Sequence, residues 1–155
     1  EIIGTSTGWL FGSYQYGKIL GPGIKNVPFI IGINWFIIIY CCGVSIHQLL
    51  SRLTQKLGEQ MGKPARSIQK LSIMVDGATL AVLFDWLMEP VAVKLGYWQW
   101  LANGAIPLYN YLCWLVVSMF LLFIFHKLPF NKQNKFAVNL LLIQAMFFLL
   151  LRTFL

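Results

Sequence analysis

The stretch that decides the fold is Val82-Leu83-Phe84-Asp85-Trp86-Leu87-Met88-Glu89-Pro90-Val91-Ala92-Val93, an apolar run that carries two carboxylates. The rest of the run is apolar enough to lie in a bilayer, where an ionisable side chain costs roughly 2.5 kcal/mol or more on insertion scales. Because Asp85 and Glu89 are four residues apart, a helix places both on one face. Two carboxyl groups so close in a poorly hydrated place cannot easily both be charged. One of them is therefore a candidate proton donor at neutral pH.

The composition of the whole chain indicates a membrane protein. It is 58% hydrophobic and 11% charged, with a mean hydropathy of +0.69, whereas an average soluble domain is about one quarter charged. We therefore expect an all-α fold, a polytopic transmembrane helical bundle that forms one membrane-embedded domain over residues 1–155. Since the chain begins with Glu1 rather than Met, we expect it to be the later part of a longer protein, without that protein's earlier N-terminal helices.

Hydropathy predicts four transmembrane spans, and charge predicts their orientation. The windows long enough to cross ~30 Å of hydrocarbon lie at about 28–50, 71–95, 106–126 and 136–155. Basic residues concentrate in the connections 51–70 and 127–135, whereas 96–105 carries no charge. By the positive-inside rule the two basic connections face the cytoplasm. The connection 96–105 and an irregular segment, 1–27, then face outward, and we expect a prokaryotic cytoplasmic membrane.

This topology brings four polar side chains to one level of the membrane, and aromatic residues surround that level. The polar residues are Asn34, Asp85, Glu89 and Asn110, and the aromatic candidates are Trp9, Tyr14, Tyr16, Trp86, Trp98 and Trp100. Pro90 has no N–H to donate to the carbonyl of Trp86, so the helix should kink or open beside the carboxylates. Two alternatives stay open: the aromatics form an interfacial belt, and the carboxylates form a cation site or a structural pair capped by the two asparagines.

Other chemistry has little support in the sequence. His47 and His126 come singly from different helices, and the three cysteines have no metal or redox spacing, so we predict no metal site. The net charge of +7 follows from the basic connections, and no nucleic-acid-binding module is present. We therefore expect the lipid bilayer, and no nucleic acid, as a partner.

Several segments occur in a specific order and spacing over most of residues 1–118. They are Glu1-Ile2-Ile3-Gly4, Thr7-Gly8-Trp9-Leu10-Phe11-Gly12-Ser13-Tyr14-Gln15-Tyr16, Leu20-Gly21-Pro22, Val27-Pro28, Asn34-Trp35, Asp85-Trp86-Leu87-Met88-Glu89-Pro90-Val91-Ala92, Gly96-Tyr97-Trp98-Gln99-Trp100 and Ile106-Pro107-Leu108-Tyr109-Asn110-Tyr111-Leu112-Cys113-Trp114. In these segments the chain resembles the membrane carotenoid-biosynthesis family, which includes carotenoid hydratases.

The resemblance implies a hydro-lyase that adds water across the terminal C=C bond of an acyclic or monocyclic carotenoid end group. Water does not attack an unactivated alkene, so a carboxylic acid must first protonate it, and water then captures the tertiary carbocation. Aromatic faces would stabilise the cation. On this view Asp85 and Glu89 are catalytic, the reaction needs no cofactor, and the substrate is bound by Trp9, Tyr14, Tyr16, Asn34, Trp86, Trp98, Trp100 and Asn110.

A proton- or cation-coupled transporter is the alternative from another class. Such proteins also place acids inside the membrane beside broken helices. The sequence has no evident internal repeat, which favours the hydratase.

Overall fold

The protein, described by a computed structural model, is built around four long helices. The structure describes residues 1–61, 66–102 and 104–155. The elements in chain order are α1 (Ile2–Thr7), β1 (Tyr14–Tyr16), a 3-10 turn (Lys18–Leu20), β2 (Gly23–Ile24), β3 (Val27–Pro28), α2 (Phe29–Met61), α3 (Arg66–Lys94), β4 (Trp98–Trp100), α4 (Leu108–Lys127) and α5 (Lys135–Phe154). Within these residues four helices are long and apolar enough to cross a membrane. The predicted all-α membrane fold is confirmed.

Two helices continue beyond the predicted spans. The sequence predicts a connection over 51–70, yet α2 runs to Met61 and α3 starts at Arg66. Residues 51–61 contain no proline and include the good helix formers Gln, Lys and Leu, so loss of hydropathy ends the apolar window without ending the helix. Positions 62–65 of that connection, and position 103 of the 96–105 connection, lie outside the described residues.

α3 is the central helix of the bundle, in contact with α2, α4 and α5. Two glycines allow close approach to α4. A Cβ at Gly43 of α2 would lie 2.8 Å from the ring of Phe125, and a Cβ at Gly77 of α3 would lie 2.8 Å from a methyl of Leu122. Small residues at such contacts let helices pack closely where no hydrophobic effect drives their association.

One end of the bundle is closed by a two-stranded ribbon, β1 paired antiparallel with β4 in the register Tyr14↔Trp100, Gln15↔Gln99 and Tyr16↔Trp98. We call this ribbon the aromatic cap. Side chains alternate along a strand, so its two tyrosines and two tryptophans share a face. Gly17 continues the ladder by donating its N–H to the Tyr97 carbonyl, and a Cβ there would lie 2.1 Å from the Gly96 carbonyl oxygen. The segment expected to be irregular is thus held by backbone pairing.

Candidate active site

Asp85 and Glu89 lie side by side on α3, just beneath the aromatic cap. Asp85 is 0% exposed and Glu89 is 2% exposed. Burying a carboxyl group is costly unless hydrogen bonds replace its lost water. The partners of these two groups therefore determine what each can do.

The cap supplies the partners of Glu89. Its Oε1 accepts hydrogen bonds from Nε1 of Trp98 at 2.7 Å and from Nε1 of Trp100 at 2.6 Å. Both indoles reach the same oxygen because they are two residues apart on β4 and so project from one face. Hydrogen bonds to an ionised acceptor are roughly twice as strong as neutral ones, so this arrangement suits Glu89 as a carboxylate.

Asp85 has fewer donors. Its Oδ2 accepts from Nδ2 of Asn110 on α4 at 2.9 Å. Its Oδ1 is buried and has no hydrogen-bond partner among the described residues. The two neighbouring carboxyl groups therefore differ in their hydrogen bonding. One oxygen of Glu89 accepts two indole N–H groups, whereas one oxygen of Asp85 has no partner among the described residues.

A third carboxylate, Glu1, completes the hydrogen bonding around the cap. Its Oε2 accepts from the hydroxyls of Tyr14 at 2.5 Å and Tyr16 at 2.7 Å, and its Oε1 accepts from Nε1 of Trp35 at 2.7 Å. Burial and the nearby charge of Glu1 raise the pKa of both tyrosines. Both hydroxyls therefore stay neutral donors to Glu1 at physiological pH.

These groups surround a small cavity of about 40 Å³. It is lined by Phe11, Tyr14, Tyr16, Ile31, Asn34, Trp35, Asp85, Met88, Glu89, Trp98, Trp100, Asn110 and Trp114. A water molecule needs roughly 10–15 Å³ of such space and two or more polar partners. The cavity therefore has room for water beside both carboxyl groups, with aromatic rings on several sides.

The structure brings most of the predicted site residues together. Both carboxylates and six of the eight candidate binding residues line the cavity, the six being Tyr14, Tyr16, Asn34, Trp98, Trp100 and Asn110. Asn34 does not cap a carboxylate as one alternative supposed, because its Nδ2 lies 3.7 Å from the sulfur of Met88. Trp9 and Trp86 are outside the cavity. Trp9 is 71% exposed. Its backbone makes two hydrogen bonds: its carbonyl accepts from the hydroxyl of Tyr109 at 2.8 Å, and its N–H donates to Oγ1 of Thr7 at 3.1 Å.

Trp86 faces α5 rather than the cavity, because it follows Asp85 and is rotated by about 100° around the helix. Its carbonyl, which Pro90 cannot satisfy, accepts from Nη1 of Arg152 at 2.7 Å. The same guanidinium lies 3.8 Å from the centre of the Trp86 ring. α3 continues through Pro90, so a side chain from α5 takes over the hydrogen bond that the proline removes.

Six residues of the site are not among those predicted from the sequence. Five line the cavity, namely Phe11, Ile31, Trp35, Met88 and Trp114. The sixth, Glu1, holds three of the side chains around it. Trp35 and Trp114 are stacked, with ring centres 3.9 Å apart and planes at 17°. Trp35 directly follows Asn34, and Glu1 is an acid at the head of an aromatic segment, but neither signal specifies a partner. Within the described residues no group of three His, Cys, Asp or Glu side chains is placed to hold a metal ion.

Comparison with known proteins identifies the family to which the chain belongs. The carotenoid biosynthesis protein family matches residues 1–155, and this protein is a member of it. Among individual proteins, it is similar to the bisanhydrobacterioruberin hydratase of Haloarcula japonica, with 28% identity over 119 residues. That match covers 75% of this chain and 36% of the relative, so this chain spans well under half of the length of that protein. No solved structure matches the chain.

Proposed function

We propose that this protein hydrates the terminal C=C bond of an acyclic or monocyclic carotenoid end group and so acts as a hydro-lyase in a prokaryotic cytoplasmic membrane. The observation that carries the proposal is the unequal carboxyl pair. Asp85 is wholly buried with an unpartnered Oδ1, beside Glu89 with its two indole donors. Membership of a carotenoid biosynthesis family and similarity to a hydratase support the same chemistry.

The hydrogen bonds support a different role for each carboxyl group. Asp85 carries a proton on Oδ1, and Glu89 carries the negative charge. Asp85 donates its proton to the less substituted carbon of the alkene, whose π electrons form the new C–H bond and leave a tertiary carbocation. Rings of the cap stabilise that cation by cation–π attraction.

Water completes the reaction and restores the acid. A water molecule in the cavity attacks the cation through its oxygen and forms the new C–O bond. The resulting oxonium ion gives a proton to the Glu89 carboxylate, and transfer from Glu89 to Asp85 returns the pair to its starting state. The sum is one alkene plus one water giving one tertiary alcohol, and this sequence of steps uses no cofactor.

Paired amide variants test the assignment. Asp85→Asn and Glu89→Gln preserve shape but remove the proton donor and the proton acceptor respectively. General acid or base catalysis is typically worth 10²- to 10⁴-fold, so each variant should lose at least about a hundredfold in turnover. The assay is pigment extraction from a host that makes acyclic carotenoids, with the gain of one water read from the mass.

The control is Gln99→Glu, which changes charge on the cap but on the face that points away from the cavity. Parental turnover in both amide variants, at equal membrane abundance, would rule out acid catalysis by the pair. Unchanged pigment mass with the parent protein would rule out the hydratase itself. Proton-dependent solute uptake by the parent in that case would favour the transporter alternative.

A further inference from the structure

Three residues that line the catalytic cavity also form walls of other cavities. Tyr14 and Tyr16 border a cavity of about 800 Å³ whose other walls carry hydroxyl, amide and ammonium groups, from Thr5, Ser6, Gln15, Lys18, Lys25 and Asn26. Trp35 borders a separate groove of about 350 Å³ between α2 and α4. Single side chains thus separate the site from a polar space on one side and from an apolar space on another.

The α2–α4 groove is almost entirely hydrocarbon and aromatic. It is lined by Gly32, Trp35, Phe36, Ile39, Tyr40, Leu121, Ile124, Phe125, Leu128 and Phe130. Two of these side chains carry a polar group. The Tyr40 hydroxyl accepts a hydrogen bond from Nδ2 of Asn134 at 3.1 Å, and Nε1 of Trp35 donates to Glu1. Phe36 is 68% exposed, so the groove is open to the membrane. It runs from Gly32 and Trp35 along successive turns of both helices.

Glu1 holds in place the side chains that separate the site from both of these spaces. Its two oxygens bind the hydroxyls of Tyr14 and Tyr16 and the indole of Trp35. Trp35 is further fixed by its stack on Trp114. Trp35 is therefore a fixed wall shared by the α2–α4 groove and the cavity that holds the carboxyl pair.

We propose that the α2–α4 groove holds the polyene chain of the substrate, and that the end group passes Trp35 to reach Asp85. This inference rests on the proposed function. A conjugated chain is stiff and apolar, so it cannot fold into a cavity of about 40 Å³. The cavity on the other side is lined mainly by polar side chains, with Pro28 and Leu101 as the aliphatic ones. The α2–α4 groove is lined almost entirely by apolar side chains and shares Trp35 with the site as a common wall.

Filling the groove tests the proposal. A Cβ at Gly32 would meet nothing within 4 Å, so Gly32→Leu projects into the groove without disturbing the helices. Hydration of the full polyene should fall roughly tenfold or more, equivalent to about 1.4 kcal/mol. Hydration of a short alkene with the same end group and no chain should stay at the parent rate. Ile124→Phe fills the groove from α4 and should have the same effect. It provides a second test if Gly32→Leu accumulates poorly in the membrane.

The matched control is Ile33→Phe, which adds bulk to the exposed face of α2 outside the groove and should change neither rate. Parental polyene hydration by both filled variants, or equal loss on both substrates, would overturn the proposal. The polyene retained by purified protein, measured by absorbance, tests the groove proposal separately from the proposed hydratase activity. If the parent retains polyene and Gly32→Leu does not, the groove holds the chain even where no hydration occurs. Loss of bound phospholipid alone would mean that the groove binds lipid instead.

Discussion

The charge state of the site depends on how donors are distributed among three carboxyl groups. Glu89 and Glu1 each accept hydrogen bonds from rigid aromatic donors, whereas Asp85 accepts one from an amide. Trp and Tyr suit this role because they combine apolar bulk with a single donor. The cap can therefore present apolar rings and still donate hydrogen bonds to the carboxyl groups beneath it.

The sequence predicted the pairing of Asp85 with Glu89 but not the contacts of Glu1. Asp85 and Glu89 are four residues apart on one helix, so helical geometry alone brings them together. Glu1 reaches Trp35 across α1, three short strands and the start of α2, and no periodicity relates the two positions. The contacts that unite Glu1 with its partners exist only in the folded chain.

Glu1→Gln should loosen Tyr14 and Tyr16 on one side of the site and Trp35 on the other. A glutamine has one acceptor oxygen in place of two, so at least one of the three donors loses its partner, which costs about 1–3 kcal/mol. Turnover should fall roughly tenfold.

Turnover and unfolding free energy in detergent provide the measurement. Glu1→Asp keeps both acceptor oxygens and should stay closer to the parent in both. Parental turnover and parental stability in Glu1→Gln would show that Glu1 does not hold these side chains in place.

At the scale of elements, hydropathy predicted the four helices but not the ribbon that closes them. β1 and β4 are three residues each and lie far apart in the sequence, so neither has a hydrophobic signal of its own. The signal that does exist is a shared alternation, Tyr14-Gln15-Tyr16 and Trp98-Gln99-Trp100, in which aromatics occupy one face and glutamines the other. Matching alternation indicates pairing only when the two segments are compared with each other.

The stability that Arg152 contributes to the contact between α3 and α5 should depend on Pro90. Arg152→Met removes the donor to the Trp86 carbonyl and the cation over the Trp86 ring. The contact lies at the surface, so we expect a loss of about 1 kcal/mol in unfolding free energy. Pro90→Ala restores an N–H within α3, and in that background Arg152→Met should cost clearly less.

Denaturant unfolding in detergent of the parent, both single variants and the double variant forms a double-mutant cycle. Additive effects would show that Arg152 does not replace the hydrogen bond that Pro90 removes.

At the scale of the whole molecule, the charge pattern predicts orientation and the structure puts the site near one end. The cap, both carboxylates and the two asparagines lie where α3 ends and α4 begins. Arg52, Lys56, Lys127, Lys132 and Lys135 lie toward the opposite end. Positive-inside orientation then places the site in the outer half of the membrane.

Cysteine labelling tests this orientation. The three native cysteines are buried, so they should not react in the folded protein. Ser51→Cys should react only from the cytoplasmic side, and Ala102→Cys, next to the cap, only from the outside. Both positions are exposed. The opposite pattern would invert the topology and place the site in the inner half.

The pairing of β1 with β4 has a consequence for assembly. The first strand leaves the ribosome long before the second, and α2 and α3 enter the bilayer in between. Contacts between such distant segments form late, because closure of the intervening chain must be paid first. Asp85 and Glu89 therefore enter the membrane without their indole and amide donors. Newly inserted protein should carry these acids in neutral form, and the negative charge proposed for Glu89 should develop only when Trp98 and Trp100 are in place.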